Sequence, residues 1–409
     1  MKKLRGLPMT IQPRFMIRIL RTSMLCGLLS VIVGCTAEKP PRSAPTPGVT
    51  SSSDVKPSEH PAGIQTEPVG EMPIGGGDVH QYIMTNANGV KVTLIDIGAS
   101  ITAVEVPDKD GNFSNVIVGF DDWQKFLVNK PYFGGICGQY AGRIAKGKFT
   151  LDGTEYTLDI NNDSNHLHGG ASGFNRMLWK GTVLPATEPL AVQFELITPE
   201  SDPYPGHMHV TVTYSLNQND ELKIEYSATS DAATVLNLTN HAYWNLGGPE
   251  AKDVLDHELE LKCSRYLPTD DSMIPTGEVA EVAGTPVDFT KPLPIGARIA
   301  DVPGGYDLCY VIDAPENERA SQPRLTARVR HPASGRIMEI ETTEPGVQLY
   351  TGNFLDGSED TGGYSKHQGF CLECQHFPDA PNHPDFPTTT LKPGEVYTQT
   401  TIHRFSVEK

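Results

Sequence analysis

Long apolar runs are nearly missing from this 409-residue chain, and the one sustained stretch, Met24 to Val33, is too short for a comfortable membrane span. Positive charge is also scarce. Lys and Arg total 33 against 50 Asp and Glu, a formal net charge of -17. A field of that sign repels phosphate backbones and anionic headgroups, which argues against nucleic acid or a basic-patch membrane contact and suits a neutral ligand better. Helical periodicity is almost absent. So are GxSxG, a P-loop, a GxGxxG strand-to-helix turn, HExxH and paired CxxC motifs, which removes support for serine hydrolase, nucleotide and zinc-protease chemistry. There are 7 cysteines: Cys26, Cys35, Cys137, Cys263, Cys309, Cys371 and Cys374.

The start of the chain differs in kind from the rest. Lys2, Lys3, Arg5, Arg14, Arg18 and Arg21 precede the apolar stretch, which ends in Ile32-Val33-Gly34-Cys35. That is a signal-peptide pattern closing on a sequence that resembles the bacterial lipobox, whose cysteine becomes the lipidated first residue. The expectation is an exported, periplasm-facing protein whose only membrane contact is a lipid on Cys35. Thr36 after that cysteine favours the outer membrane of a Gram-negative host. Processing would remove Cys26 and acylate Cys35, leaving an odd number of thiols, which argues against a complete disulfide framework. Cys371-Leu372-Glu373-Cys374 is formally C-x-x-C but lies in a strand-like run with no second ligand pair, and reads as structural.

Residues 36–72 are rich in Pro, Ser, Thr and Gly without apolar periodicity and read as a flexible tether. Beyond them, short alternating segments dominate: Val90 to Ile97, Lys148 to Ile160, His209 to Leu216, Glu221 to Ala228, Leu325 to Val329 and Ile337 to Thr342. Asp152-Gly153 is a hairpin signal, and Asn217 to Asp220 separates another pair of runs. The fold expected is all-β, a large antiparallel sandwich forming one domain over residues 73–409.

Four segments concentrate polar groups among glycines and aromatics: Phe133 to Gly147, Asn165 to Gly170, Val235 to Leu246 and Gly369 to Asn382. In the third, strand alternation puts Asn237, Thr239 and His241 on one face and Leu236 and Leu238 on the other. In the fourth, Cys371, Glu373 and Gln375 share a face. A carboxylate and an imidazole on polar strand faces can exchange protons near neutral pH. By pattern alone, His241 reads equally as a hydrogen-bonded structural histidine, and Glu373 as a solvated carboxylate or an arginine partner. His166-x-His168 and His207-x-His209 each could place two imidazoles on one strand face, but neither has an evident third ligand, so no metal is expected.

At these four segments the chain resembles the aldose 1-epimerase, or galactose mutarotase, family. The likeness continues through Leu267-Pro268-Thr269, Ile274-Pro275-Thr276-Gly277, Gly305-Tyr306-Asp307 and Pro345 to Asn353, in the family's order. It implies a supersandwich of antiparallel sheets, an open sugar site, a small-molecule aldose as substrate and no metal or organic cofactor. It further implies Glu373 as the base that takes the anomeric hydroxyl proton and His241 as the acid that protonates the ring oxygen. Arg143, His168, Asp307 and Gln348 match the family's sugar-binding positions. Neither member of the acid/base pair is expected to need an extreme pKa.

Two positions depart from the family pattern: Gly142 stands where Asn is common, and Gln139 where Arg is frequent. Losing the amide at 142 bears on which sugar is accepted. Three other readings stay open on sequence alone. A non-catalytic carbohydrate-binding protein would keep the cleft without the chemistry. A glycosidase would need Asp307 as a second carboxylate. A hexose-6-phosphate epimerase is disfavoured because the site motifs supply only Arg143 as a strong cation.

Overall fold

The computed structural model describes residues 62–73, 76–185, 188–200, 202–313 and 322–408. The leader, Cys35 and most of the expected tether lie outside the described residues.

The scaffold is an antiparallel sheet of nine strands: Lys180–Val183, Leu190–Ile197, Met208–Leu216, Glu221–Ser230, Tyr397–Val407, Arg336–Thr342, Arg324–Arg330, Glu258–Leu261 and Leu293–Pro294, in that spatial order. Alternation builds it. In Met208–Leu216 the side chains of Met208, Val210, Val212 and Tyr214 are buried, whereas His209, Thr211 and Thr213 face outward. The last strand, Tyr397–Val407, sits at the centre between Glu221–Ser230 and Arg336–Thr342, so the C-terminal segment is part of the core ladder. Turn chemistry matches the sequence: Asp152 and Gly153 both take positive φ (49° and 80°), the geometry a two-residue hairpin needs, and Leu151 pairs with Thr154. Helical elements among the described residues are 3₁₀ turns of at most five residues.

A five-stranded sheet runs Gly63–Glu71, Asp78–Thr85, Lys91–Ile95, Ser100–Pro107, Phe113–Asn115. Its first strand corrects the expected tether, because Gly63–Glu71 pairs along its length with Asp78–Thr85. Alternation could not reveal it. This edge strand is held by its backbone ladder, its side chains stay largely exposed, and Pro68 sits at a register shift, where an edge tolerates proline.

The second five-stranded sheet, Ala280–Glu281, Arg265–Tyr266, Asp307–Val311, Gly346–Tyr350 and Cys371–Gln375, carries the site. One face of it (Tyr310, Val347, Leu349, Leu372, Cys374) joins the main apolar core shared with the other two sheets. The opposite face forms a cleft floor. Val235 to Leu246 is not one strand but a threaded segment, in which Thr234–Val235, Thr239–Asn240 and Tyr243–Trp244 each pair with a different partner. It runs fully buried through the interior, where each stretch takes whichever backbone lies beside it.

Candidate active site

Register assembles the floor. Gln348 lies directly opposite Glu373 and Cys309 opposite Gln348, with Asp307 diagonal to it. The Gln348 amide donates from Nε2 to Asp307 Oδ1 at 2.5 Å. The wall comes from the glycine-rich loops, whose tight backbone is tied together by Asn237. Its amide donates to Ala141 O (2.9 Å) and His376 O (3.1 Å), and its Oδ1 accepts the His376 N–H (2.9 Å). Asn237 is therefore a clamp, joining the segment before Arg143 to the segment after Glu373.

The result is a cleft of about 630 Å³ that gathers Glu373, His241, Arg143, His168, Asp307 and Gln348, all six residues singled out in the sequence. His241 Nε2 lies 3.6 Å from Glu373 Oε1, with both side chains at most 5% exposed. The His241 ring stacks between Tyr132 (centroids 5.7 Å, 22°) and Tyr243 (5.1 Å, 21°), and its Nδ1 is 3.5 Å from Cys371 Sγ. Three aromatic walls, Tyr132, Tyr243 and Tyr350, were missed by the sequence reading although Tyr132 immediately precedes the Phe133 motif and Tyr350 follows Gln348 by two residues.

Burial dominates the electrostatics. It pushes the Glu373 carboxyl well above its ordinary range, with negative Asp307 adding to the push and Arg143 opposing it. Burial likewise raises Asp307. It lowers His241 to about 4 and His168 well below the ordinary imidazole value. This corrects the expectation of unremarkable pKa values: a dry floor favours the neutral form of every one of these groups.

The candidate binding residues are positioned by identifiable contacts. Arg143 Nε donates to Asn162 Oδ1 at 2.9 Å and its Nη2 approaches Met273 Sδ at 3.3 Å, with no carboxylate ion pair among the described residues, so its charge faces the cleft. His168, at φ 50°, accepts the Gly142 N–H on Nδ1 (3.2 Å), which leaves the proton on Nε2. Arg176, not foreseen, adds a second guanidinium to the lining. Its Nη2 donates to Gly170 O at 2.6 Å while its Nε is buried without a partner. The cleft thus holds more positive charge than Arg143 alone supplies.

The histidine pairs split up. His166 turns to Tyr204 Oη (2.7 Å) and the Asp159 carbonyl (2.8 Å), away from His168, and His209 pairs with Glu195 (2.6 Å). His168, His241 and Glu373 do bring ligand atoms within 4.8 Å of one another, close enough for a cation. With Nδ1 accepting an amide proton and Nε2 protonated, however, the His168 ring has no free lone pair to coordinate one. In a second cluster, Asp256, His257 and His331, His257 is committed in the same way, its Nε2 accepting the Leu246 N–H at 2.9 Å and its Nδ1 facing Asp256.

The described cysteines Cys137, Cys263, Cys309, Cys371 and Cys374 are free and buried. Of the two departures from the family pattern, Gln139 lies outside the cleft, its amide donating to Thr234 Oγ1 (2.7 Å) and Val235 O (3.0 Å), whereas Gly142 lines it.

The chain is similar to known proteins over most of its length. The family profile described as aldose 1-epimerase matches residues 80–404. Galactose mutarotase of Homo sapiens is 45% identical over 343 residues, 83% of this chain and 97% of that protein. Aldose 1-epimerase of Escherichia coli K12 is 34% identical, over 80% of this chain and 94% of that one. Among solved structures, an aldose epimerase homologue from C. elegans superposes with a TM-score of 0.72 at 30% identity, covering 80% of this chain and 98% of that one. Galactose 1-epimerase from Lactobacillus acidophilus gives 0.74 at 25% identity, covering 85% and 100%. The chain belongs to the aldose 1-epimerase family.

Proposed function

We propose that this protein is an aldose 1-epimerase, an isomerase that interconverts the α and β anomers of free aldohexoses such as galactose or glucose. The observation that carries the reading is the buried Glu373–His241 pair, 3.6 Å apart on the floor of a cleft lined by hydroxyl-binding groups. Glu373 removes the proton from the anomeric hydroxyl while His241 protonates the ring oxygen, and the ring opens. Rotation about the C1–C2 bond presents the other face of the aldehyde. Reclosure runs both transfers backwards, without a covalent intermediate. Neither transfer needs a cofactor.

The pair works with one shared proton. Ring opening starts from carboxylate and imidazolium and ends at carboxylic acid and neutral imidazole, so the two halves of the cycle use the two placements of that proton. Burial favours the second placement. A bound sugar supplies hydroxyls to Glu373, whose Oε2 is buried without a partner, and Arg143 stabilises the carboxylate from across the cleft. Both bring the first placement within reach. His168, Asp307 and Gln348 orient the remaining hydroxyls.

The test is anomer exchange by NMR on freshly dissolved α-galactose and α-glucose with the full chain and its Glu373→Gln variant. Acceleration by the parent that disappears in the variant supports the reading. Exchange at the spontaneous rate for both sugars sinks it for common hexoses.

Export and lipid anchoring at Cys35 form the second part of the proposal, supported by the basic leader, the apolar Met24–Val33 stretch and the lipobox-like Ile32 to Cys35. Labelled fatty acid supplied to expressing bacteria is expected to enter the parent and not a Cys35→Ser variant. Equal labelling of both, or of neither, would remove the anchor from the account.

A further inference from the structure

Gln375 carries a signal that the acid/base chemistry leaves unused. It lies two residues beyond Glu373 on the same face of the strand Cys371–Gln375, lines the cleft, and is 1% exposed. Its Oε1 and Nε2 both lack a hydrogen-bond partner. Among the described amides lining the cleft, Asn129, Asn161, Asn162 and Gln348 each hold at least one hydrogen bond inside the protein, and Gln375 alone holds none. A buried amide without partners is unfavourable and persists in a native structure for a reason. The same conclusion does not extend to Asn175, also unpartnered, which lies outside the cleft lining.

The neighbourhood says what the reason is. Gly142 stands against this amide: a Cβ built at 142 falls 3.4 Å from Gln375 Nε2 and 3.1 Å from Cβ and Cγ of Pro378. A side chain at 142 would lie in van der Waals contact with the Gln375 amide and tight against Pro378, at a backbone φ of 77° that favours glycine. The two backbones cannot drift apart, because Asn237 binds the residue before Gly142 and the residue after Gln375 through one side chain.

We propose that Gln375 is a specificity-determining residue of this cleft, its amide hydrogen-bonding a sugar hydroxyl in place of a contact from position 142. The assignment rests on the mutarotase reading and deepens it. An amide presents a donor and an acceptor together, so one hydroxyl can accept from Nε2 and donate to Oε1. A ligand lacking that hydroxyl leaves the amide unsatisfied again, and this is how a buried polar group discriminates between otherwise similar substrates.

The experiment compares the parent with Gln375→Met, which keeps side-chain length and removes the amide, on galactose and its monodeoxy analogues by NMR exchange kinetics. The variant is expected to raise KM for galactose roughly 3- to 10-fold with kcat little changed, the scale of one neutral hydrogen bond. The parent is expected to discriminate against one monodeoxy sugar, and the variant to treat that sugar and galactose alike. An unchanged KM, or a variant that discriminates against the same monodeoxy sugars as the parent does, would overturn the assignment. Gln375→Asn, which retracts the amide, carries the same comparison if the methionine variant does not fold. Should the parent accelerate no sugar's exchange, the mutarotase reading falls and binding titrations decide for Gln375 separately: weaker galactose binding by Gln375→Met supports it, equal binding overturns it.

Discussion

The two faces of the sheet Asp307–Val311, Gly346–Tyr350 and Cys371–Gln375 are built from alternate residues of the same strands, yet they follow opposite rules. On the core face Tyr310, Val347, Leu349, Leu372 and Cys374 pack against apolar neighbours, and the one hydroxyl among them, on Tyr310, donates to Val287 O at 2.9 Å. On the cleft face Glu373 Oε2, Gln348 Oε1 and both ends of the Gln375 amide have no partner. Both faces are largely buried, with only Asp307 and Gln348 half-buried on the cleft face. The difference teaches that burial alone does not mark a core: the cleft face is incomplete by itself and is complementary to a polar ligand, while the core face is complete within the protein.

Substitutions one residue apart should separate the two faces. The largest effect is expected from Glu373→Gln, which removes the proposed proton acceptor and keeps the shape. Anomer exchange by NMR should fall by roughly 10²- to 10⁴-fold, the usual contribution of a positioned acid/base group. Thermal stability should hold or rise, because a carboxyl beside Asp307 is replaced by a neutral amide. A marked drop in melting temperature would blur the contrast by making Glu373 structural.

On the other face, Leu349→Ala opens a cavity beside the fully buried core and should cost about 2–5 kcal/mol in denaturant unfolding, while KM of the folded fraction stays near the parent's. A stability change below about 1 kcal/mol would mean that this face repacks freely.

The narrowest effect, confined to acid pH, sharpens the comparison further. His403, 4% exposed with its ring tilted against Trp244 (centroids 5.1 Å, 33°), lies on a core strand with Nδ1 unpartnered, and burial holds its pKa at about 4 against an ordinary 6.5. The unfolded chain binds this proton near 6.5 and the folded chain only near 4. Stability is therefore complete above pH 6.5 and declines as pH falls towards 4, by about 3 kcal/mol from this group. His241 contributes with the same sign. His403→Leu should flatten part of the acid decline in melting temperature between pH 7 and 4.5, and an identical decline would assign it to other groups.

Much of this was legible in the chain itself. The alternating runs became strands, Asp152-Gly153 became the hairpin turn, and the six residues proposed for catalysis and binding do meet in one cleft. Gly63–Glu71 was not legible, because an edge strand secured by its backbone ladder has no apolar alternation to display. Arg176 was not legible either. It sits in a 3₁₀ turn outside the motif segments and reaches the cleft only because its Nη2 is anchored on the Gly170 carbonyl. The bare amide of Gln375 could not be anticipated, since whether a polar atom has a partner depends on what folds over it.

What the sequence determined by itself was the all-β class, the turn positions and the chemical inventory of the site, because side-chain periodicity and backbone preference are local properties. What only the tertiary structure decided was the state of that inventory. Desolvation, register and the Asn237 clamp bring distant segments together and move the proton affinities of Glu373 and His241 in opposite directions, and those are properties of the assembled environment that no residue carries alone.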